Sequence, residues 1–224
     1  EPHIYLMDRD GSNATQLTQV PIAGFDLLEL DFCWSPDGTQ ILYMNNNRLF
    51  VINRDGTGLR QMAEAPNGHT FTECDWSETD NRILVRTTGK DVYTSMIFLI
   101  DTNGNYISQP HPNTPGRTGG PVFSIDGKYM LYTQDVSGFE ITSGRQLDSR
   151  LFLKNLSNQS IRDISLLKPA GTNDLDPRFS PDGSKVIFVN TNNDGISPSH
   201  IYTVDVDGEN RELLFENAEM PEWK

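Results

Sequence analysis

The sequence predicts an all-β protein, a β-propeller built from four-stranded antiparallel blades. Two hairpin signatures recur in register along the 224 residues, their spacing is close to that of a propeller blade, and the 3.6-residue periodicity of helices is absent. Eighteen glycines and 13 prolines supply the turns such a fold needs, and 36% hydrophobic residues suffice for one continuous core.

The first signature is an aromatic residue, a serine and a turn: Trp34-Ser35-Pro36-Asp37-Gly38, Trp76-Ser77-Glu78-Thr79-Asp80, Phe123-Ser124-Ile125-Asp126-Gly127 and Phe179-Ser180-Pro181-Asp182-Gly183. Proline presets φ for a type I turn, aspartate bonds its own backbone, and glycine takes the left-handed position that closes the hairpin. Asp80 stands where glycine is expected, so the same turn is expected there with slight strain. Six positions after each serine comes an aliphatic residue or methionine, at Ile41, Ile83, Met130 and Val186. Each copy therefore reads as strand, turn, strand.

The second signature is an aliphatic residue, an aromatic and, three residues on, a polar turn: Ile4-Tyr5 with Asp8 to Gly11, Leu49-Phe50 with Asn53 to Gly56, Ile97-Phe98 with Asp101 to Gly104, Leu151-Phe152 with Asn155 to Asn158, and Ile201-Tyr202 with Asp205 to Gly208. Steps from Tyr5 through Phe50, Phe98 and Phe152 to Tyr202 are 45, 48, 54 and 50 residues. A single domain over 1–224 follows, with full blades at about 30–66, 73–111, 120–168 and 176–217. A fifth, incomplete blade is expected to be shared between 1–19 and 220–224, where Trp223 repeats the first-strand aromatic; its second strand is missing, so the chain is expected to be a piece of a longer propeller. The aromatics Trp34, Trp76, Phe123, Phe179 and Trp223 occupy one repeat position and are expected to form core between blades.

These motifs resemble the WD40-like repeat of TolB-type propellers, over nearly the whole chain. The resemblance implies a ring that commonly has six blades. Similar blades occur in periplasmic TolB, in prolyl oligopeptidase-type peptidases and in bacterial sensor proteins, so fold alone leaves function open.

A formal charge of −13 and a pI near 4.6 disfavour nucleic acid and anionic membrane surfaces. No run of about 18 apolar residues could insert in a bilayer, and the chain reads as a mature product from the periplasm or otherwise outside the cytoplasm. Cys33 and Cys74 precede the aromatics of successive repeats, on strands expected to lie beyond the ~7 Å Cα limit of a disulfide, and so read as buried free thiols.

Chemistry finds little to rest on. There is no Gly-x-Ser-x-Gly elbow, no His-Glu-x-x-His metal motif and no phosphate-binding loop. Asn190, Asn192 and Asp194 imitate half of a calcium loop, but Ile201 stands where the bidentate glutamate belongs, so a polar turn is the better reading and no cofactor is expected. Binding sites on propellers lie where loops converge on one face. The loops between blades are expected to carry His69 with Glu73, His111 with Arg117, and Asp174 with Asp176; a long loop from Gln134 to Arg150 carries Phe139. The sequence reading is thus a non-catalytic scaffold for a protein or peptide partner. The alternatives are the gating propeller of a serine peptidase, a carbohydrate-active propeller, or a sensing ectodomain for a small molecule or glycan.

Overall fold

A computed structural model describes residues 2–22, 31–66, 68–89, 94–111, 116–139 and 145–223, all strand, turn or loop with no helix among them. Four sheets of four antiparallel strands follow one another along the chain. Blade 1 holds β3 (Phe32–Trp34), β4 (Gln40–Asn45), β5 (Arg48–Asn53) and β6 (Arg60–Glu64). Blade 2 holds β7 (Thr70–Trp76), β8 (Arg82–Thr88), β9 (Ser95–Asp101) and β10 (Tyr106–His111). Blade 3 holds β11 (Thr118–Phe123), β12 (Tyr129–Asp135), β13 (Ser149–Asn155) and β14 (Ile161–Asp163). Blade 4 holds β15 (Thr172–Phe179), β16 (Lys185–Asn192), β17 (His200–Asp205) and β18 (Glu212–Phe215). Ahead of them, β1 (Tyr5–Leu6) and β2 (Thr15–Gln16) form a two-stranded sheet, and 216–223 belong to no strand.

The first signature sets identical pairs in every blade: Trp34 faces Ile41, Trp76 faces Ile83, Phe123 faces Met130, and Phe179 faces Val186. Within the turns, Ser35 Oγ donates to Asp37 at 2.6 Å and accepts from the Gln40 amide at 2.9 Å, and Ser124 and Ser180 repeat both bonds. Blade 2 departs from the expected turn. Asp80 does not take the left-handed conformation; its carboxylate instead pairs with Arg82 at 2.7 Å, which reaches Gly127 O of blade 3. A side-chain ion pair thus replaces the glycine device.

A four-stranded sheet alternates its side chains between two faces, and both faces must be covered. Leu42, Met44 and Leu49 of blade 1 pack on Trp76, Ile83 and Val85 of blade 2. Leu84 and Ile97 meet Phe123 and Met130 across the next interface, and Leu131 and Leu151 meet Val186 and Phe188 across the third. Each first-strand aromatic therefore looks back at the preceding blade. Among the described residues only the short β1 and β2 precede Trp34, which stays 38% exposed with the Arg54 guanidinium 6.0 Å from its ring, contrary to the expectation that all these aromatics are core.

The free-thiol reading of the cysteines is overturned. Cys33 and Cys74 form a disulfide with Cα atoms 6.0 Å apart, joining the innermost strands of blades 1 and 2. The reason is parity. Cys33 lies one residue before its aromatic and Cys74 two residues before, so they point to opposite faces of their own sheets and hence toward each other across the interface.

Blade 4 is held by a buried ion pair. Arg211 binds Asp174 through two bonds of 2.9 and 2.8 Å, with its guanidinium 4.7 Å from the rings of both Phe188 and Tyr202. Ser165 and Asn190 donate to the same carboxylate at 2.7 and 2.8 Å. Removing one partner strands a buried charge, so Asp174→Ala is expected to cost about 3 to 5 kcal/mol, read as a lower urea midpoint at unchanged slope. Asp174→Asn keeps the side chain's shape but strands the Arg211 charge equally, so it should cost a similar amount; a clearly smaller loss would show that charge pairing is not what matters.

Candidate functional site

The innermost strands β7, β11 and β15 are longer than the motif suggests, because each carries a β-bulge: between Phe71 and Glu73, between Gly119 and Val122, and between Leu175 and Arg178. Gly120 and Asp176 have φ of 58° and 49°, and a proline follows each, a residue that a bulge accommodates where a regular ladder would not. Glu73, Asp174 and Asp176 accordingly sit in strands, not in the loops between blades where they were expected.

The bulges bring three of the sequence-chosen residues together. Glu73, Arg117 and Asp176 line a cavity of about 350 Å³ whose wall is completed by Arg145, Asn173 and Asn192. They also line a second cavity, of about 480 Å³, with Asp31, Cys74 and Arg178. A third, of about 360 Å³, continues past Arg178 toward Asp75, Trp76, Phe179 and Trp223. Together they follow the innermost strands from one end to the other.

The walls are fixed by bonds between and within blades. Glu73 accepts the Gly120 amide at 2.7 Å and pairs with the buried Arg86 at 3.2 Å. Asp75 accepts the Phe123 amide at 2.6 Å. The described ends of the long loop after β12 are bonded as well: the Asp135 carboxylate receives the amides of Ser137, Leu147 and Asp148, Asn173 binds Ser149 N and Gln146 O, and Arg145 donates to Asp194 O at 2.8 Å.

The other chosen residues lie elsewhere. His69 is half-buried beside Thr87 Oγ1 at 3.3 Å, and loss of hydration lowers its pKa. His111 is buried at the end of β10, against Tyr132 and 3.2 Å from Gln134 Oε1. Asp174 is wholly inside its ion pair, and Phe139 is 70% exposed, next to 140–144, which lie outside the described residues, as do 112–115 of the segment after His111. The calcium series is used otherwise: the Asn190 amide binds Thr172, Asn173 and Asp174, Asp194 caps its own turn at Ile196 and Ser197, and Asn192 faces the cavity. Among the described residues no group of three or more His, Cys, Asp or Glu is placed to hold a metal ion.

Asp31, Asp75, Arg178 and Arg145 were not found by motif reading, although counting back from each aromatic would have found the first three. Asp31, Glu73, Gly120 and Asp176 all lie three residues before it; Asp75 and Arg178 lie one before.

Crowding governs the electrostatics. Asp176 reaches solvent, yet protein surrounds it on most sides, and the resulting loss of hydration raises its pKa, with Glu73 adding to the rise and Arg178 and Arg117 opposing it. Asp31 is raised for the same first reason. Asp75 is pushed up to about 7 by burial, against the pull of the Phe123 amide and Arg178. A carboxyl raised in the folded state favours folding below its unfolded pKa and loses that contribution as pH climbs through the folded value. The stability of Asp75→Asn relative to the parent is therefore expected to grow by roughly 2 to 4 kcal/mol between pH 4 and pH 8. Denaturant titrations across that range showing a constant difference would refute the assignment.

No family model matches the chain. Dipeptidyl-peptidase 5 of Porphyromonas endodontalis is 27% identical over 159 residues, which are 66% of this chain and 20% of that enzyme, so the chain spans about a fifth of the curated relative it matches. Among solved structures, a putative TolB from Agrobacterium tumefaciens superposes with a TM-score of 0.69 at 19% identity, over 98% of this chain and 78% of that one. An oligogalacturonate lyase in complex with manganese gives 0.66 at 16% identity, over 98% and 60%. A chain of a nidogen/laminin complex gives 0.65 at 9%, over 95% and 74%. The fold of this chain is that of the TolB β-propellers.

Proposed function

We propose that this propeller is a binding scaffold acting outside the cytoplasm, and that a protein partner presents a polypeptide segment to the mouth formed by Glu73, Arg117 and Asp176. The observation that carries the reading is the pairing of carboxylates with guanidinium groups on a fixed polar wall. A polypeptide offers both donors and acceptors, and both signs of charge, to such a wall, whereas an apolar small ligand would need an apolar pocket. The disulfide fits an oxidising compartment. Likeness in fold to TolB and to a chain of a nidogen/laminin complex adds support for a protein partner.

Immobilised chain incubated with cell-envelope extract is expected to retain a protein that the Arg117→Ala/Asp176→Asn variant retains at least tenfold less well. Equal recovery by both, or no recovery above background by either, would count against the mouth as the site.

The identity to dipeptidyl-peptidase 5 favours one second reading, in which the propeller admits peptides to a catalytic domain elsewhere in a longer protein. Under it, the full gene product releases dipeptides from a peptide library and residues 1–224 alone do not. A full product that releases none removes that reading.

A further inference from the structure

We infer that the Cys33–Cys74 disulfide is a redox-sensitive clasp that holds the innermost strand of blade 1 against the channel wall, and that reduction frees this strand while blades 2 to 4 stay folded. The inference stands apart from the identity of any partner.

The strand it holds is the weakest of its kind. β3 has three residues where β7, β11 and β15 have seven, six and eight. It makes three pairs with β4: Phe32 with Tyr43, Cys33 with Leu42 and Trp34 with Ile41. Two of its three side chains are incompletely buried, Phe32 being 54% and Trp34 38% exposed. Its neighbour Asp31 reaches blade 2 through its amide, to Thr72 O at 3.3 Å, and through its carboxylate, at the Cys74 amide. The anchor is the opposite. Cys74 is buried in the apolar cluster between blades 1 and 2, on a strand paired along its length with β8.

The consequence reaches the site because Asp31 and Cys74 line the same cavity as Glu73, Arg117 and Asp176. Freeing β3 withdraws the Asp31 side of that wall. The local stability of an element follows its own buried contacts and bonds, so a segment this poor in both opens independently of the sheets beside it.

A dithiol is the reductant required. Its thiolate attacks the Cys33 sulfur, the less buried of the two, and Cys74 leaves as a thiolate that takes up the proton the reductant gave up. The second thiol of the reductant then displaces Cys33 as it closes its own disulfide, so two electrons pass to the protein and two thiols remain.

Hydrogen exchange read by mass spectrometry, on the full chain before and after dithiothreitol, tests this directly, with the two-dalton mass gain confirming reduction. Amides of 31–35 and 41–43 are expected to exchange at least tenfold faster after reduction, and those of blades 2 to 4 outside β7 to keep their rates. The Cys33→Ser/Cys74→Ser variant should show the same pattern without reductant; should it not fold, reduction of the folded parent still decides. Unchanged exchange at 31–35 once both thiols are free would overturn the clasp, as would loss of protection in all four sheets together.

Discussion

Everything in this molecule depends on the covering of one sheet face by the next. A blade of four strands has no core of its own; its apolar side chains stand on two faces, and only neighbouring blades remove them from water. That constraint accounts for the placement of Trp76, Phe123 and Phe179, each set on a first strand so as to bury against the blade before it. It also accounts for Trp34, whose preceding sheet has two strands of two residues and cannot cover it. The disulfide sits at this same under-covered end. Closing a sequence separation of 41 residues is worth about 4 kcal/mol in the chain-entropy account, comparable to the full burial of one or two large apolar side chains.

The parts of the fold legible in the sequence are those set by local chemistry. Turn residues and the aliphatic position six after each serine announce the pairing of Trp34 with Ile41, and of its three counterparts, because hairpin register follows from turn length. The parts not legible depend on what lies opposite. Cys33 and Cys74 look misplaced for bonding when treated as equivalent, and only their difference in parity reveals that they face each other. Gly119-Gly120-Pro121 and Asp176-Pro177 look like loop, since glycine and proline ordinarily break strands, yet a bulge at each point lets the strand run through. Asp174 looks like a solvated loop acid, and nothing local announces that Arg211, 37 residues on, arrives beneath two aromatic rings to neutralise it.

The candidate site follows from the same geometry. Residues three before the aromatic fall within the bulge in blades 3 and 4, at Gly120 and Asp176, and beside it in blade 2, at Glu73. In successive copies that position holds Asp31, Glu73, Gly120 and Asp176, so acids gather there by repetition. The pKa values of Asp31 and Asp176 are raised first by loss of hydration, with the Glu73 charge adding to the rise; Arg178 opposes it at both and Arg117 at Asp176. Glu73 is engaged directly by Arg86 and by the Gly120 amide.

Repetition and departure from it therefore have separate jobs. Positions that recur unchanged in character, the first-strand aromatic and its aliphatic partner, carry packing wherever a full blade precedes them. Positions that differ between copies face the channel: arginine at 178 where the second copy has aspartate at 75 and the third has valine at 122. A ring of identical blades would present the same group from every side and could read only symmetric ligands. Here an arginine and an aspartate meet at equivalent heights on different blades, which gives the channel a direction across its width. A polypeptide segment, itself without symmetry, is the kind of ligand that such a wall can orient.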